Sequence, residues 1–194
     1  MRLKIFSLFF AVLLLSLPAF AGSNIRFARD AVSADPAIAE AAISSLRNAG
    51  QNGLDELFEV YGKEIEGYSK TGNAGNDWNR IAYALDNVAM QKDAYASKLF
   101  WFTDIDQALA ASKRTGKPVL SLRLLGNLNE ELSCANSRFF RAILYSNAEI
   151  AKTLRENYIL HWKSVRPAPR ITIDWRWQKD RENDHRQQHS LHFG

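Results

Sequence analysis

Two β-type runs separated by helical sequence constrain this chain more than any other feature. Val-Leu-Ser-Leu-Arg-Leu-Leu at 119–125, opened by Lys117 and Pro118, is dense enough in apolar residues for a strand buried in a sheet. A second run lies at 158–165 and a shorter third at 171–175, joined by a segment containing Pro167 and Pro169. Between the first two, a turn at 126–129 leads to a helix from about Ser133 that buries Phe139 and Ile143 and breaks near Ser146. Ser146 and Glu149 then stand at capping-box spacing for a short helix through Leu154. Ahead of the first strand, Thr103 caps a helix whose first turn carries Asp104 and Asp106. Ala108, Leu109 and Ala111 continue it to Gly116, which suits a left-handed terminus. Helix, strand, helix, strand in that order requires crossovers, hence an α/β unit with parallel strands.

The upstream half has a different period. Asp35 followed by Pro36 is a helix start, with Ile38, Ala41, Ala42 and Ser45 at helical spacing and Gly50 as the stop. Leu54, Leu57, Phe58 and Tyr61 mark one face of a second helix, ended by Gly62 or Gly67. The polar run 69–77 reads as a loop, and a third helix resumes near Trp78 with Ile81, Leu85, Val88 and Ala89 on one side. At that spacing the aromatics and leucines read as core rather than as a ligand groove.

The first 21 residues read as an export signal. Arg2 and Lys4 precede an apolar run from Ile5 to Leu17, and Ala19-Phe20-Ala21 supplies the small-x-small end, so cleavage is expected after Ala21. An uncleaved anchor would need a longer apolar stretch, about 20 residues. No stable membrane span is expected after cleavage, and no cysteine follows Ala21 to take a lipid. Of 25 basic residues, Arg2 and Lys4 leave with the signal, so 23 face 21 acidic ones, a net +2 with no basic stripe. Nucleic acid is therefore not an expected partner.

One cysteine, Cys134, excludes an internal disulfide and a Cys-rich zinc site. Outside the cytoplasm an unpaired thiol is exposed to oxidation, so it must be buried, held in a mixed disulfide, or used. Its position, where a strand has turned into a helix start, points backbone N–H groups at the sulfur and favours thiolate. Ser137, three residues on, faces the same side, and Arg138 and Arg141 would add positive potential if they turn toward it. The competing reading is a small buried hydrophobe.

The run Trp-Phe-Thr-Asp-Ile-Asp-Gln-Ala-Leu-Ala-Ala-Ser-Lys-Arg-Thr-Gly-Lys-Pro at 101–118, followed by a strand, a turn and Cys-Ala-Asn-Ser, resembles the thioredoxin-like superfamily. Trp101, Asp104, Ala108, Lys113, Gly116, Lys117 and Pro118 match its lead-in, while Ser112 replaces an alanine. The pattern at 124–141 is similar to an exported bacterial branch of that superfamily, and the likeness runs through most of the chain to Trp175. The resemblance implies an α/β fold with a thioredoxin-like sheet flanked by helices, a helical segment at 22–97, and a thioredoxin-like domain at 98–175. It also implies a C-x-x-C motif, but Ser137 occupies the second cysteine position, leaving Cys134 at most a monothiol site with Ser137 beside it. Pro167 and Pro169 precede the closing hairpin and are poor matches for the superfamily's cis-proline. The sheet is therefore expected to be incomplete at its C-terminal side.

Residues 176–194 are polar and follow neither period. His185, His189 and His192 have helix-compatible spacing for a metal, but a ligand-free disordered tail is the better reading, and neither metal nor cofactor is expected. A shifted reading frame from Trp175 onward, which one codon choice permits, yields turn residues and alternating apolar positions, as if a small insertion or deletion had replaced the last strands. Three functions follow: a monothiol redox protein acting on a protein or small thiol partner, a non-enzymatic binding module that buries the cysteine, or a truncated inactive gene product. The chain carries no phosphate loop, His-Glu-x-x-His motif or G-x-S-x-G elbow.

Overall fold

The computed structural model describes residues 19–131 and 133–167. The start and apolar run of the expected export signal, Pro169, the expected strand at 171–175 and the tail histidines lie outside the described residues. Helix α1 (Ala19–Asp30) runs through Ala21. In α2 (Pro36–Asn48), Asp35 accepts the Ala37 amide at 2.9 Å while Pro36 takes the first helical position, as the sequence predicts. The buried stripe is Ala39, Ala42, Ile43 and Leu46, whereas Ile38 and Ala41 are exposed. Leu46 and Ile43 supply more apolar surface than the stripe begun at Ile38, so α2 turns those residues inward.

Gly50, at φ +69°, makes the bend into α3 (Gln51–Val60), which buries Leu54, Leu57 and Phe58. A side chain at Gly53 would collide with the Leu46 carbonyl, so this glycine sets how closely α2 and α3 approach. After Tyr61 the chain continues as α4 (Gly62–Thr71), longer than the sequence predicts. The Ser69 and Thr71 hydroxyls donate back to the carbonyls of Ile65 and Gly67, and these polar residues stay helical up to the left-handed Gly72. Helix α5 (Trp78–Ala89) buries Ile81, Leu85, Val88 and Ala89, the face read from the sequence, and Trp78 stacks on Tyr68 at 3.9 Å. These helices share one apolar core.

The rest of the chain is mixed α/β. Strands β1 (Trp101–Phe102), β2 (Val119–Leu125) and β3 (Ile159–Arg166) form a three-stranded parallel sheet in the order β1-β3-β2. Helix α6 (Ile105–Thr115) joins β1 to β2; its cap is Asp104 rather than Thr103, the carboxylate accepting from the amides of Asp106 and Gln107. Gly116 closes it at φ +74°, while Leu109 is exposed. Helix α7 (Ala135–Phe139), a π-turn (Phe140–Leu144) and α8 (Ala148–Asn157) return the chain to β3. Asn147, not Ser146, caps α8; Ser146 instead donates to the Ala142 carbonyl. Ser137, Phe140, Arg141, Leu144 and Tyr145 turn inward at ordinary helical spacing, one residue out of step with the expected stripe, so Phe139 and Ile143 are exposed.

The crossovers β1 to β2 and β2 to β3 run in opposite directions, so right-handed connections put α6 on one face and α7 with α8 on the other. The α8 side is sealed by Leu120, Leu122, Leu124, Leu160 and Trp162. The α6 side covers the central strand but not the edge: His161 is buried, while Ser121 and Arg123 of β2 are exposed. The strand expected to be buried on both faces thus alternates, because β2 lies at an edge among the described residues.

Polar anchors tie the sheet to the helical layer. Arg47 donates to the carbonyls of Val88 and Trp101, Trp162 Nε1 donates to the Met90 carbonyl, and Trp101 Nε1 donates to Gln91 Oε1 at 2.8 Å. Among the described residues no helix is long and apolar enough to cross a membrane.

Candidate functional site around Cys134

Strand β2 ends where Gly126, at φ +71°, turns the chain out of the sheet, its amide donating to the Arg166 carbonyl at 2.8 Å. The loop that follows drops Leu128 fully into the core beneath the sheet and then returns. On the return the Cys134 amide donates to the Leu125 carbonyl at 3.4 Å, so the cysteine sits against the C-terminal end of β2. In an open parallel sheet this end is where ligand and catalytic groups gather.

Cys134 is the cap of α7, with extended φ −60° and ψ 159°, and its sulfur accepts the Ser137 amide at 3.4 Å. Ser137 is fully buried, and its hydroxyl lies 3.2 Å from the same sulfur. The structure therefore brings together the two residues singled out from the sequence, with the sulfur in the role a serine or aspartate oxygen takes at other caps. Burial pushes the thiol up, but hydrogen bonds from the Ser137 hydroxyl and from the backbone at Ser137, Leu125 and Asn136 outweigh it, and the net shift is below the ordinary value. Cys134 is half-buried. Helix α7 has only five residues before the π-turn, so local N–H donors, rather than a long macrodipole, carry this effect.

The two arginines do not act as expected. Arg138 is exposed. Arg141 is buried, with its guanidinium donating to the carbonyls of Leu128, Glu130 and Glu131, so it ties down the loop ahead of the cysteine instead of facing the sulfur. A charged residue in a helical stretch reads as solvent-facing, and nothing in its spacing marks it as a loop clamp. Lys92 adds a second tie, its amide donating to the Leu128 carbonyl at 3.0 Å and its ammonium pairing with buried Asp86 at 2.9 Å.

Chemically, the arrangement offers a sulfur nucleophile with partial access, a hydroxyl and an amide that stabilise its anion, and a loop held by carbonyl bonds on the approach side. No second thiol is present to resolve a disulfide. Among the described residues no group of His, Cys, Asp and Glu is arranged to hold a metal ion; the tail histidines lie outside them. In comparisons with family models, curated proteins and solved structures, nothing matches this chain.

Proposed function

We propose that this is an exported protein of thioredoxin-like fold whose Cys134 performs monothiol chemistry. The observation that carries the reading is the cysteine at a helix cap, its sulfur bonded by the amide and hydroxyl of Ser137. The order β1-β3-β2 with the thiol at the C-terminal end of β2 supports it, as does the lead-in sequence ahead of that strand. In the reaction, the Cys134 thiolate attacks one sulfur of a partner disulfide, breaking its S–S bond and forming a mixed disulfide, and the displaced thiolate takes a proton from water. An outside thiol then attacks the mixed disulfide, releasing Cys134 and leaving its own sulfur in the new disulfide. The electron pair is supplied by that outside thiol, because Ser137 cannot resolve the intermediate.

The test is the pH dependence of alkylation by iodoacetamide on the folded protein. The rate is expected to titrate below about 8.5, the ordinary cysteine value. A thiol that titrates at or above it, or that resists alkylation until the protein unfolds, overturns the redox reading and leaves the non-enzymatic binding module.

A further inference from the structure

The open face of the sheet holds a second polar constellation, independent of Cys134. Arg123 of β2 and Lys163 of β3 are register partners, directly opposite on adjacent strands, and strand alternation puts both on the α6 side. Like charges so placed repel. Both side chains are exposed, and among the described residues neither forms an ion pair or a side-chain hydrogen bond. One rung earlier, Ser121 faces His161, with its hydroxyl 2.8 Å from Nδ1. His161 is 97 % enclosed, given its exposure of 3%, and its Nε2 has no partner among the described residues. An orphaned buried N–H is rarer than an unused acceptor, which favours the tautomer with the proton on Nδ1. His161 then donates to Ser121, and the serine proton is left to point outward beside the two cations.

We propose that Ser121, Arg123 and Lys163 bind the phosphate group of a small ligand, with His161 as a positioning residue behind the serine. Two positive charges that are unpaired among the described residues, with a hydroxyl donor, match a phosphate dianion, whereas a lone carboxylate is satisfied by one arginine fork. Asp104, the carboxylate whose charge acts on His161, is engaged at the cap of α6 and, among the described residues, forms no ion pair with Arg123 or Lys163. The constellation lies midway along two adjacent parallel strands, with Ser121 and Arg123 at the third and fifth residues of β2 and His161 and Lys163 at the third and fifth of β3.

The experiment is an amide-shift titration of the purified full chain with inorganic phosphate at fixed ionic strength, with acetate as a parallel arm. Saturable shifts at Ser121, Arg123 and Lys163 are expected with phosphate and not with acetate, and the double variant Arg123→Gln/Lys163→Gln is expected to weaken binding about tenfold or more. Ser121→Ala is expected to weaken it less. Shifts that grow linearly, that acetate reproduces, or that persist in the double variant overturn the proposal. A double variant with a lower Tm and a wild type without any phosphate response assign the cations to a carboxylate of the chain itself, and this overturns it as well.

Discussion

The helical layer and the sheet bury their residues by different rules. In α1 to α5 the interior is alanine, leucine, isoleucine and valine at helical spacing together with the aromatics Phe58 and Trp78, with Asp86 as the charged intruder, and Asp86 is paired with Lys92 and capped by the Ala94 amide. Around the sheet, polar groups sit inside the packing: Gln91, Ser137, Arg141 and His161 are all buried. The first region is held by apolar area, about 1.5–3 kcal/mol for each large side chain enclosed. The second is held in large part by directed bonds, whose loss leaves a partner unsatisfied. Chemistry follows the second kind of packing, because a directed bond fixes where a nucleophile or a cation points.

The largest expected effect breaks the helical side of this contrast. Leu57→Ala, which empties a fully enclosed site, is expected to cost about 2–5 kcal/mol in urea unfolding and to leave the thiol's alkylation pH profile unchanged. A profile that moves with the melt would show that the helical core also sets the sulfur's surroundings. Next in size, Arg141→Met removes the clamp on the loop at 128–131 and is expected to cost about 1–3 kcal/mol while exposing amides there to faster hydrogen exchange. Exchange that stays slow would mean Leu128 and Lys92 hold the loop unaided. The smallest is a pH effect. Burial, then the charges of Arg123 and Lys163, lower His161, with Asp104 opposing them. The stability tied to this depressed value is complete above about 6.5 and is lost as pH falls through the lower folded-state pKa. His161→Gln is therefore expected to flatten the stability profile just below pH 6.5; an unchanged slope would place the acid sensitivity elsewhere.

Much of the architecture was legible from residues whose local physics leaves one outcome. Asp35-Pro36 starts α2, Gly116 ends α6, and the apolar run at 119–125 is β2, because a cap, a left-handed glycine and a dense β-type run act over a few residues. The neighbourhood of Cys134 and Ser137 was legible for the same reason, as they stand three positions apart across one helical turn. Phe139 and Ile143 were misjudged because the inward face of that stretch includes the polar residues Ser137 and Arg141, which an apolar pattern does not mark as buried. The exposed side of β2 was missed because whether a strand is central or at an edge depends on strand order.

By itself, then, the sequence determined most of the helices and the strands β2 and β3, the position of the thiol at a helix start and the lack of a second cysteine, all of which are short-range matters. Tertiary structure alone decided that β3 lies between β1 and β2, that Arg141 turns inward to hold a loop, and that Arg123 meets Lys163 beside Ser121 and His161. The reason is physical: a strand's register and neighbours follow from packing energies summed over residues far apart in the chain, and no local pattern carries that sum.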